Sequence, residues 1–134
     1  KKEKRVARPL SFVSTDGFQL FVGKNNKQND FLTTKMARAE DIWLHAKDIP
    51  GAHVIIRTEG KEAPPATLME AAGLAALFSK AGRSKSVPVD YTLKKHVHKP
   101  KGARPGMVIY EHQKTIMAAP DEELPERLRQ PSKP

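Results

Sequence analysis

Two stretches of this sequence carry the side chains with most chemistry to offer. The first is LHAKDIPGAH, residues 44–53, which gathers His45, Asp48 and His53. Two imidazoles and a carboxylate can ligate a divalent ion and build a hydrolytic centre. Their spacing matches no zinc pattern, however, and no Glu stands where a general base is needed. The expectation here is structural: His45 and Asp48 hydrogen-bond to each other and fix the tight turn into the next strand. The second stretch is KKHVHKPKGARPG, residues 94–106. Its Pro and Gly residues forbid a regular helix, so the backbone should form a loop with exposed amides and cations.

Charge singles out the same loop. The chain has 134 residues and a formal net charge of +9. Residues 83–104 hold Arg83, Lys85, Lys94, Lys95, Lys99, Lys101 and Arg104 against Asp90 alone. Residues 24–38 hold Lys24, Lys27, Lys35 and Arg38 against Asp30. At +6 and +3 these two segments equal the whole net charge, and by contrast the 111–134 end is slightly acidic. Clustered cations in a turn-rich loop neutralise phosphates and release counterions, which points to a polyanionic partner, RNA first. His96 and His98 can add hydrogen bonds to phosphate or sugar, or stack on bases. On this reading His45, Lys47 and His53 line a polar groove that holds RNA backbone. The bland alternative for the loop is a solvated surface without a partner.

Other chemistry lacks its residues. There is no cysteine, which removes disulfides, thiolate zinc sites and thiol catalysis. GKNN at residues 23–26 lacks the second Gly and the Lys-Ser/Thr ending of a nucleotide-binding loop, and no Ser stands in a nucleophile elbow. No cofactor, no metal and no catalytic residue is expected. No apolar run approaches the length of a membrane span, and no signal peptide is seen, which suits a cytoplasmic protein without membrane contact.

The elements that must position these groups are short. Residues 11–14 and 18–22 read as strands around an Asp16-Gly17 turn. Asn25 or Asn26 can cap a helix whose apolar stripe is Phe31, Leu32 and Met36. Residues 42–46 and 53–57 read as strands, with His53, Ile55 and Arg57 on one face and Val54 and Ile56 on the other. Pro64-Pro65 opens the strongest helix, residues 67–81, Ala-rich and apolar nearly all round, with Gly82 past its end. Residues 87–92, 107–110 and 115–118 complete six or seven strands. Trp43, inside an apolar strand, belongs to the core, whereas Tyr91 and Tyr110 are candidates to stack on a base. The fold expected is a single α+β domain: a mostly antiparallel or mixed sheet with two principal helices packed on one face of it. Residues 1–8 form a charged linker, residues 9–120 the folded body and residues 121–134 a solvated tail.

Four blocks in this order, DGFQLFVGKNNKQND, DIWLHAKDIPGAHVII, PPATLMEAAGLAALFSKA and VPVDYTLKKHVHKPKGARPGMVIY, closely resemble the NFACT-R domain. That domain ends the bacterial RqcH proteins, long labelled fibronectin-binding proteins, and recurs in the eukaryotic ribosome quality-control component NEMF. The resemblance spans residues 9–120 and makes residues 1–8 the last turn of a coiled-coil arm. It implies RNA binding, to tRNA or large-subunit rRNA, within a factor that engages a large subunit carrying an obstructed nascent chain. The family's reaction is template-free C-terminal tailing, with alanine in bacteria. The resemblance supplies no catalytic residue for this domain, so the site residues named above rest on charge and loop position. A protein-binding module, either a fibronectin adhesin or a ribosomal-protein contact, is the competing class. The missing secretion signal and anchor disfavour the adhesin.

Overall fold

The computed structural model describes residues 7–129. Most of the expected segment 1–8 lies outside the described residues, so the linker assignment is not developed further. Six strands form one antiparallel sheet: β1 (Leu10–Val13), β2 (Gln19–Val22), β3 (Ile42–Ala46), β4 (Val54–Arg57), β5 (Val87–Leu93) and β8 (Lys114–Ala118). Their order across the sheet is β1-β2-β4-β3-β5-β8. A separate ribbon pairs β6 (Val97–His98) with β7 (Ile109–Tyr110). Every pairing is antiparallel, so the "mixed" option falls away.

Period-two alternation sorts the side chains onto two cores. Leu20, Val22, Leu44, Val54, Ile56, Val87 and Val89 face α2 (Pro65–Leu77). This helix meets the sheet through its buried alanines Ala71, Ala72, Ala75 and Ala76, and the missing side-chain bulk permits close approach. The opposite face carries Phe21, Trp43 and Ile55, covered by Leu32 and Val97. Leu32 comes from a short second helical element. There, α1 (Asn26–Phe31), capped by the Asn25 side chain on the Gln28 amide at 2.9 Å, runs into a π-helical turn, Leu32–Met36. The two helical elements thus sit on opposite faces of the sheet, not on one face as expected, because both faces of the central strands are apolar and need cover. Buried Asp41 ties the π turn to the sheet, accepting from the Arg57 guanidinium at 3.0 Å while Arg57 also donates to the Met36 carbonyl at 3.0 Å.

Among the described residues, 121–129 depart from the solvated tail expected of residues 121–134. A short helix, α3 (Leu124–Arg127), buries Leu124 and, just beyond it, Leu128 against the α2-side core. The Val13 amide donates to the Leu128 carbonyl at 2.9 Å, which covers part of the edge strand β1. A Cβ at Gly73 would stand 2.8 Å from Leu124 Cδ2, so this docking needs the glycine. Two leucines among charged residues were too sparse a pattern to mark a helix.

Candidate nucleic-acid interface

The expected basic loop folds back across the Trp43 face and lands on α1. Lys99 pairs with Asp30, the Gly106 amide donates to the same carboxylate at 3.1 Å, and the Lys94 and Lys95 amides donate to the carbonyls of Asp41 and Ala39. Gly106 has φ +84° and passes close to α1: a Cβ there would stand 3.3 Å from the Asn26 carbonyl oxygen. Burial opposes ionisation of Asp30, but the Lys99 and Gly106 hydrogen bonds outweigh it and hold the carboxyl below the usual range. The segments 24–38 and 94–106 are therefore neighbours, although about seventy positions separate Asp30 from Lys99.

Beside their contact lies a groove of about 650 Å³, which Asn26 and Asn29 of α1 also line. One wall is the turn at residues 48–51, the other residues 104–108, and the floor holds Trp43, His45, His53 and Tyr110. Asp48 turns the chain at φ +58°, in the left-handed region that Asp tolerates. The expected His45–Asp48 hydrogen bond is not the one that forms: His45 Nδ1 donates to the Ala46 carbonyl at 2.6 Å. With the turn backbone in place, His45 is held by its own strand and Asp48 is left exposed.

The floor is a fixed array of rings. His45 stacks parallel to Trp43 at 5.8 Å between centroids, and Tyr110 lies against the indole at 4.7 Å. Trp43 Nε1 donates to His53 Nδ1 at 3.2 Å, and the Thr33 hydroxyl stands 2.7 Å from the same nitrogen. An indole N–H can only donate, so His53 Nδ1 is an acceptor and a neutral His53 carries its proton on Nε2. Burial, with the nearby His45, pushes His53 down to about 3. Burial also lowers His45, against the pull of the Ala46 and Gly51 backbone. His53 is 2% exposed, and it lines the groove and braces its floor.

Asp90 organises the other end. It is buried and accepts from Tyr110 Oη at 2.6 Å and Thr115 Oγ1 at 2.6 Å, while Lys47 Nζ lies 3.5 Å away. Burial, then the Asp90 carboxylate, keeps the Tyr110 phenol protonated far above its ordinary range. Lys47 is thereby committed to Asp90. Tyr91 points to the opposite core, so of the two tyrosines only Tyr110 reaches the groove.

The remaining candidates divide by position. Lys24, Lys27, Lys35, Arg38, Lys94, Lys101 and Arg104 form no ion pair with another described residue, and all except the half-buried Lys94 are exposed. Lys95 pairs with Glu40 and His98 with Glu111, both at 3.4 Å and both at the surface. Arg83 and Lys85 precede β5, whereas Lys94 follows it, which separates them by a strand of roughly 20 Å. The structure does not bring that pair to the loop. One grouping had no sequence signal: His96, Glu111 and His112 converge with ligand atoms within 4.8 Å, because the ribbon folds distant residues together. A smaller hollow of about 300 Å³, at residues 16–19 and 57–61, has balanced charges and offers an anion little.

Comparison with known proteins decides the family. The family model "NFACT protein RNA binding domain" matches residues 8–112. The chain belongs to the NFACT-R family. Among relatives, the Rqc2 homolog RqcH of Bacillus subtilis is 50% identical over 96% of this chain and 23% of its own length. RqcH of Streptococcus suis is 48% identical over 87% of this chain and 21% of its own. The ribosome quality control complex subunit NEMF homolog of Drosophila melanogaster is 33% identical over 60% of the chain. The solved C-terminal part of the fibronectin/fibrinogen-binding protein from Streptococcus suis superposes with a TM-score of 0.89 at 44% identity, over 97% of this chain and 52% of that one. This NFACT-R chain thus spans about a fifth of the length of those RqcH proteins. Among its described residues no helix is long and apolar enough to cross a membrane.

Proposed function

We propose that this NFACT-R domain binds structured RNA, tRNA or large-subunit rRNA, through the face formed by α1, the π turn and the 94–106 loop. The observation that carries the reading is the docking of that loop on α1. It brings two basic segments together beside the groove, which Arg104 lines, and leaves seven of their cations without a carboxylate partner among the described residues. Affinity then comes mainly from phosphate neutralisation and falls with salt. Within a longer RqcH-like protein the domain contributes RNA contact on an obstructed large subunit in the cytoplasm. It supports template-free C-terminal tailing, with alanine, and supplies no bond-making residue of its own.

Titration of labelled tRNA at rising salt tests the proposal. Binding that weakens along a steep log–log line supports it; negligible binding at every salt removes it. Contact with fibronectin is the second reading, with the name of the streptococcal neighbour as its support. Direct fibronectin binding that survives near-physiological salt, where tRNA binding does not, would favour that reading.

A further inference from the structure

We propose that the groove receives a single unpaired nucleobase, with the adjoining phosphate at the Arg104 rim. This rests on the RNA-binding reading and narrows it from a charged face to a defined pocket. The volume, about 650 Å³, lies within the roughly 300–1,000 Å³ of small-ligand clefts. The floor offers what a base needs: the half-buried rings of His45 and Tyr110 flank the buried indole of Trp43. Both flanking rings are already held, His45 by the Ala46 carbonyl and Tyr110 by Asp90, so stacking on them orders little that is not ordered beforehand. Met107, 58% exposed at the mouth, adds a polarizable side chain able to close over a π-face.

The two walls sort the ligand by charge. Asp48, exposed on one wall, repels phosphate and accepts from the exocyclic amine of a base. Arg104, exposed on the other, forms no ion pair with a described residue and suits the phosphate. A duplex keeps its base faces stacked inside, so only an unpaired nucleotide can use both walls and the floor.

Trp43 is the only tryptophan in the chain, and its emission reports the groove. The probes are a single-stranded oligoadenylate about five nucleotides long and a base-free tetrahydrofuran oligomer of equal length and charge. We expect the oligoadenylate to bind at least about fivefold tighter, the lower end of what one stacked base contributes, and to change Trp43 emission. The base-free oligomer should bind weakly, with the same salt sensitivity, and leave emission alone. Tyr110→Phe keeps the ring and should keep the difference between probes; Tyr110→Leu should erase it. Equal affinity of both probes with no emission change overturns the nucleobase site while leaving phosphate binding intact. No binding of either probe, on a chain that binds tRNA, overturns the nucleobase site, and loss of tRNA binding as well removes the RNA-binding reading. Should Tyr110→Leu fail to fold, the comparison of probes on the unaltered chain still decides.

Discussion

Replacing Lys94, Lys101 and Arg104 together by alanine should flatten the salt dependence of tRNA binding by a calculable amount. These three side chains border the loop and form no ion pair with a described residue, so each is available to a phosphate. Each neutralised phosphate contributes about 0.7 to 0.9 to the slope of log affinity against log salt, so three contribute about 2 to 3. Between roughly 50 and 200 mM salt, the affinity gap between unaltered and triple-variant chains should therefore narrow about 20- to 40-fold. Lys99 differs because Asp30 already holds it. Lys99→Ala should change the slope less and loosen the loop instead. Arg83→Ala with Lys85→Ala is the comparator, since those residues sit beyond the far end of β5. Fluorescence anisotropy over a salt series reads all of these. An equal loss of slope from the Arg83/Lys85 pair would refute the reasoning, because bulk charge and not this face would then set affinity.

Other expected outcomes follow from the same geometry. Neutral His53 in the fold takes up a proton only near pH 3, whereas the unfolded ring does so below about 6.5. The unfolded chain therefore binds more protons in that window, and stability falls as pH drops. Urea denaturation should show a loss of about 2 kcal/mol between about pH 7.5 and pH 5, to which His45 adds in the same direction. Asp90→Ala leaves the half-buried Tyr110 hydroxyl without its acceptor, while the exposed Thr115 hydroxyl turns to water, and should cost about 1–3 kcal/mol in the same assay. Leu124→Ala and Leu128→Ala should each cost about 2–4 kcal/mol, and a chain ending at Pro120 should lose both contributions; unchanged stability would mean the α3 docking is marginal.

Local signals made much of the fold legible. Alternation placed Ile55 and Arg57 on one face of β4, with His53 just before the strand, the Pro64-Pro65 pair marked the start of α2, and an apolar setting put Trp43 in the core. Pairings distant in sequence were not legible. Asp30 read as a single negative charge diluting a basic segment, yet it anchors the loop through Lys99 and the Gly106 amide. Asp90 likewise counted only as one acid among cations, although it pins Tyr110, Thr115 and Lys47. The floor of the groove depends on Trp43, Thr33 and His53 meeting across three elements, which no spacing rule encodes. Charge counts treated Arg83 and Lys85 as one segment with Lys94, but an intervening strand sets them apart.

The most direct test of the shared face is an amide chemical-shift map of the labelled chain titrated with tRNA at near-physiological salt. RNA bound on this face should give saturable shifts in residues 23–41, 45–53 and 94–112. Shifts confined to α2, α3 and the Asp16-Gly17 turn, with the loop and α1 unmoved, would contradict it.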